Sequence, residues 1–164
     1  MRFTVLFALI LINVSSVAQP SSFPERCIGL WKGAIDIYSK GVLKQQIPVT
    51  FTVAYINDSL GYTWKMEYQT GEKPMAKDYR LVYEKSSNRF VVDEGDGIKL
   101  YEYPVQNKMY SMFEVSGSVL TASYELVGEQ LIFEVTSGKK FETVNGVSNY
   151  SVDGVQRVVL KRVK

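Results

Sequence analysis

The chain predicts an all-β fold: a single up-and-down antiparallel β-barrel of roughly 8–10 strands. Three observations carry this. Apolar and polar residues alternate with a period of two, most cleanly in "YTWKMEY". There Tyr62, Trp64, Met66 and Tyr68 share one side and Thr63, Lys65 and Glu67 the other. Turn signals recur at intervals of about 8–12 residues, and no window has convincing helical spacing. The connections are mostly hairpin-short, which favours a meander, and a meander this long hides its edges most directly by closing on itself.

The elements follow in order. Residues 1–18 read as a cleaved signal peptide. Arg2 gives the basic start, Phe3–Val14 the apolar run, and Ser16 and Ala18 the small residues before a cut after Ala18. That run is shorter than the ~20 residues of a membrane span, and no other segment could cross a membrane, so the mature protein is expected to be secreted or periplasmic and soluble. Residues 19–27, with two prolines, read as a flexible leader, and 28–164 as the barrel domain. Trp31, Gly33, Ile35 and Ile37 share the inward side of the first strand. "SKGV" turns the chain. Ile47, Val49, Phe51, Val53 and Tyr55 form the inner row of the second strand, and "YTWKMEY" is the third.

Tyr79, Leu81 and Tyr83 continue the alternation. "RFVV" leads into the glycine-rich turn "DEGDG", and Ile98–Tyr103 is a strand less clearly sided. Met109, Phe113 and Val115 follow, closed by "SGS". Leu120, Ala122, Tyr124 and Leu126 precede the hairpin "VGEQ", and Leu131, Phe133 and Val135 the next strand. "SGKKFETVNGVSN" reads as a long polar loop, and "VQRVVLKRV" closes the chain.

The 164 residues form one domain with 46% apolar composition, enough to bury a core without staples. A net charge of +2 is too balanced for a nucleic-acid partner. The sequence has no histidine. That excludes a Ser-His-Asp triad, a Cys-His pair, zinc sites built on His or several Cys, and haem on a proximal His. Cys27 is the only cysteine, so it forms no internal disulfide and as a nucleophile has no histidine base. It is too far from the apolar run to be a lipidated N-terminus. It reads as a small half-buried residue near the first strand.

"GLWKG" at 29–33 resembles the Gly-x-Trp start of the first strand in lipocalins and their calycin relatives, which include the fatty-acid-binding proteins. Gly29 and Trp31 match it. The closing run "RVVLKRV" resembles the basic last strand of fatty-acid-binding proteins. The resemblance implies that a late arginine, at Arg157, packs over Trp31 to close the barrel. The chain has no room for two helices after the first strand, and no helix after the last, so the resemblance stays at the calycin superfamily.

A barrel of this size encloses space for one small ligand. The candidate lining is Trp64, Met66, Tyr68, Tyr83, Phe113, Tyr124 and Phe133, apolar walls with tyrosine hydroxyls as anchors. The same residues could instead fill the interior. Asp93, Glu94, Asp96 and Glu102 cluster around "DEGDG"; they lack the spacing of a calcium loop and read as a solvated turn. No metal, cofactor or catalytic residue is assigned. Asn57 and Asn149 fit the N-glycosylation acceptor pattern. The expected function is non-catalytic binding of a small hydrophobic or aromatic ligand by an exported barrel. The alternatives are a filled barrel acting as a protein-interaction or inhibitor module, and an enzyme using carboxylates or tyrosines.

Overall fold

A computed structural model describes residues 22–56 and 61–164; the expected signal peptide and Asn57 lie outside them. The chain order is α1 (Phe23–Cys27), β1 (Gly29–Ser39), β2 (Val42–Tyr55), β3 (Gly61–Tyr68), β4 (Met75–Glu84), β5 (Arg89–Gly95) and β6 (Ile98–Val105). Then come β7 (Lys108–Val115), β8 (Ser118–Val127), β9 (Gln130–Val144), β10 (Val147–Tyr150) and β11 (Gly154–Arg162). Each of β1 to β9 pairs with its successor; β9 also pairs with β11 and β11 with β1. That closes a ten-strand antiparallel up-and-down barrel with β10 outside it. Both edges are thereby removed.

The inner rows follow the alternation. Trp31 and Ile35 of β1, Val49, Phe51 and Val53 of β2, and Trp64 and Met66 of β3 are buried, as are Leu131 and Phe133 of β9 and Val158 and Leu160 of β11. Gly33 sits in the same row because β11 passes close by. A Cβ there would stand 2.7 Å from the Val159 carbonyl oxygen and 2.9 Å from Val158 Cγ2.

Two stretches depart from the expectation. Residues 23–27 of the leader form a helix rather than a mobile segment. The Glu25 side chain accepts from the Ser22 backbone N–H (2.6 Å), Pro24 sits in the first turn, and Phe23 and Cys27 bury one face. Five residues are too few for a visible helical period. The expected polar loop after β9 is a hairpin: Asn145 and Gly146 take φ of 50° and 78°, the two left-handed positions of a tight turn. It projects β10 and the end of β9 beyond the barrel wall.

Helix α1 closes one end of the barrel. Trp31 Nε1 donates to the Cys27 carbonyl (2.7 Å), and the Arg26 guanidinium donates to Asn107 Oδ1 (2.6 Å) and the Gln106 carbonyl (3.0 Å) in the β6–β7 turn. The arginine over Trp31 is Arg162, at 4.1 Å from the ring centre, not Arg157. Val158, Leu160 and Arg162 form the inward row of β11. Arg157 falls on the outer face, where it pairs with Glu134 at 3.2 Å. Arg162 also donates to the Arg26 carbonyl (2.7 Å) and to the Ile28 carbonyl, tying helix, first strand and last strand together.

Candidate functional site

The barrel is half filled. Toward α1 the interior is packed around Trp31, Ile35, Phe51, Leu81, Met109, Leu131 and Leu160, all fully buried. Toward the far end, where the β1–β2, β3–β4, β5–β6 and β7–β8 turns lie, a cavity of about 230 Å³ remains. Six of the seven expected lining residues meet in it: Trp64, Met66, Tyr68, Phe113, Tyr124 and Phe133. Tyr83 does not join them. It lies on the inner face but toward α1, lining a separate hollow of about 370 Å³ with Tyr62 and Phe90, and its hydroxyl donates to Asn88 Oδ1 (2.7 Å).

The cavity floor is an aromatic stack. Tyr124 lies parallel to Phe133 (centroids 4.6 Å) and to Phe51 (5.7 Å), and edge-on to Trp64 (5.0 Å). Trp64 in turn meets Phe51 edge-on at 4.9 Å. Such offset and T-shaped pairs fix ring orientation. The rings therefore serve the core on one side and the cavity on the other.

Three polar side-chain atoms of residues lining this cavity are buried without a hydrogen-bond partner of good geometry: Trp64 Nε1, which lies near Tyr124, and Glu102 Oε2 and Ser111 Oγ, which lie near each other. All three residues are buried, Trp64 and Glu102 to 1% exposure and Ser111 to 5%. A buried polar group left unpaired costs about 1–3 kcal/mol, and more when charged. Burial pushes the Glu102 carboxyl up from its ordinary 4.5 to about 7; the neighbouring Ser111 hydroxyl pulls slightly the other way. Tyr124 is raised by burial first and by the Glu102 charge second. At the rim stand Lys77, Glu94 and Gln156.

In the sequence Glu102 groups with the "DEGDG" turn. The structure separates them. Glu102 pairs across the ladder with Phe90 and points inward after Leu100, while Asp93 accepts from the Gly95 backbone N–H (3.0 Å) within the turn. The available signal was the alternation Ile98, Leu100, Glu102, which puts an acid on the side opposite Tyr101 and Tyr103. Ser111, between Met109 and Phe113 in the inner row, has no apolar side chain to mark it in the sequence. Among the described residues no group of three or more His, Cys, Asp or Glu could hold a metal.

Cys27, the last residue of α1, is fully buried, and burial pushes its thiol up to about 12. It packs as a small apolar residue.

No protein-family model matches the chain, and no curated protein matches it. Solved structures do. An S-type phycobiliprotein lyase, CPES from Guillardia theta, superposes with a TM-score of 0.62 at 8% identity, over 87% of this chain and 91% of that one. Rv2717c from M. tuberculosis superposes at 0.53 and 12% identity, over 89% and 100%. The likeness is one of fold. The closed ten-strand barrel is the architecture that the resemblance at Gly29 and Trp31 implies.

Proposed function

We propose that this protein is an exported, non-catalytic binder of one small hydrophobic or aromatic molecule, held in the far-end cavity. The observation that carries this is a cavity whose lining residues combine aromatic rings with three buried polar atoms that lack a hydrogen-bond partner of good geometry. Apolar walls with a few placed polar groups are what small-molecule sites share. The volume limits the ligand: about 230 Å³ exceeds the ~150 Å³ that takes benzene but falls below the ~300 Å³ at which drug-sized sites begin. Export rests on the pattern of residues 1–18, and N-terminal sequencing of the secreted protein should begin at Gln19. For the binding itself, native mass spectrometry of protein purified from its host should show one small bound mass. A clean apo mass, with no binding of aromatic probes, would sink the proposal.

A second reading rests on the β9–β10 hairpin. Phe141, Val144 and Val147 are 59%, 63% and 68% exposed there. An apolar projection of this kind suits a protein partner. Replacing Phe141 and Val147 with Ser would abolish such a contact and leave ligand binding unchanged.

A further inference from the structure

The polar groups of the cavity are unequal in what they ask of a ligand. Glu102 is the only acidic side chain deep in the cavity; Glu94 is at the rim. Lys77 is the only basic residue among those lining it, and it is exposed at the rim. The other titratable groups facing the space are Tyr68, Tyr79 and Tyr124, which carry no charge at neutral pH. Glu102 has no ion-pair partner among the described residues, and the Ser111 hydroxyl is the polar neighbour that acts on it. The carboxyl group has already been taken out of water by folding, so a ligand that supplies a donor recovers interaction that the protein itself leaves unmade.

The wall beside this acid is also unusual. The β6–β7 ladder covers only Tyr103–Val105 against Lys108–Tyr110 and stops short of Glu102 and Ser111. Every other neighbouring pair in the barrel continues further. Strand pairing therefore does not seal the barrel next to Glu102 and Ser111.

We infer that the cavity takes a one- or two-ring molecule bearing a protonated amine, with Glu102 as its counter-charge and the ring laid against Tyr124, Phe133 and Trp64. This rests on the binding function proposed above and narrows it. The amine donates to Glu102, and the Ser111 hydroxyl beside it serves as a second polar contact. A carboxylate ligand such as a fatty acid meets the opposite arrangement. It would bring a second negative charge beside Glu102, with no buried cation to receive it.

The test uses three probes of one shape: 1-naphthylmethylamine, 1-naphthalenemethanol and 1-naphthaleneacetic acid. Each is titrated into the full mature protein by calorimetry at pH 8. The amine should bind at least about tenfold more tightly than the alcohol, because its hydrogen bond to the acid is charge-assisted. The acid should bind more weakly than both. In Glu102→Gln the amine should fall to the level of the alcohol while the alcohol keeps its affinity, which also reports an intact cavity. A readout on the wild type needs no variant: lowering the pH from 8 to 5 protonates Glu102 and should erase the preference for the amine without changing binding of the alcohol. Equal binding of amine and alcohol at pH 8, or a preference that survives both Glu102→Gln and pH 5, would overturn the inference and leave the binding function standing. Failure of all three probes to bind would overturn both.

Discussion

Arg162, the last residue of the closing strand, lies over Trp31, the third residue of the first, with its guanidinium 4.1 Å from the indole centre. The same arginine donates to the backbone carbonyls of Arg26 and Ile28. One side chain thus joins the two ends of the meander to the helix that plugs the barrel. A cation over an indole contributes about 0.5–2 kcal/mol. Arg162→Ala should cost that and more, because two carbonyls lose their donor. Arg157→Ala should cost less than about 1 kcal/mol, since it removes only an exposed ion pair with Glu134. Urea unfolding of both variants checks the contrast, and equal losses would refute it.

Trp31 is fully buried and satisfied by the Cys27 carbonyl. Trp31→Ala should lower stability by about 3–5 kcal/mol, the usual range for emptying a large aromatic site. Unchanged thermal stability would show that the indole does not hold this end together.

Gly33 is set by β11. Gly33→Ala puts a methyl group 2.7 Å from a backbone oxygen, which cannot swing aside as a side chain would. The expected loss is about 1–3 kcal/mol from overpacking. Gly41, by contrast, has open space around its Cβ position. Gly41→Ala should still cost something, because its φ of +75° is left-handed, but without the steric clash that moves β11. Chemical-shift changes in β11 for Gly33→Ala alone would distinguish the two causes.

Glu102 makes stability depend on pH. Its folded pKa, about 7, lies above the ordinary 4.5, so the folded protein keeps a proton that the unfolded chain releases between those values. Stability should therefore fall as pH rises from about 4.5 to about 7 and level off above that. The fall is on the order of 3 kcal/mol. Glu102→Gln should be more stable than the wild type at pH 8 and lack this slope. Denaturation midpoints measured at pH 5 and pH 8 give the answer directly, and parallel slopes would contradict it.

Cys27 should resist thiol reagents in the native protein at pH 8 and react at once in urea, because its thiol is both buried and held near 12. Native-state labelling on the same timescale as in urea would place the thiol at the surface.

The alternation in the sequence revealed which side of each strand faces inward. It could not reveal height along the barrel, which depends on register. Tyr83 illustrates this: it shares the inner face with Tyr79, but Tyr79 pairs with Trp64 while Tyr83 falls beyond Gly61, under the helix. Arg157, the closing arginine that the resemblance implies, fails for a related reason. "RVVLKR" offers an arginine on each face, and only the burial of Val158 and Leu160 decides that Arg162 is the inward one. Glu102 is hidden in the sequence among the acids of the neighbouring turn, because an acid within an apolar row breaks the pattern that defines the row. That break is where the candidate site lies.

The most direct test of the account is whether filling the far-end cavity displaces what it holds. Ala122 lines the cavity and is 8% exposed. Ala122→Phe adds a ring to the space while the α1 end of the core stays untouched. Native mass spectrometry of the two proteins purified from the host should show a small bound mass on the wild type and none on a folded Ala122→Phe. The same mass bound at equal occupancy to both would contradict the cavity as the binding site.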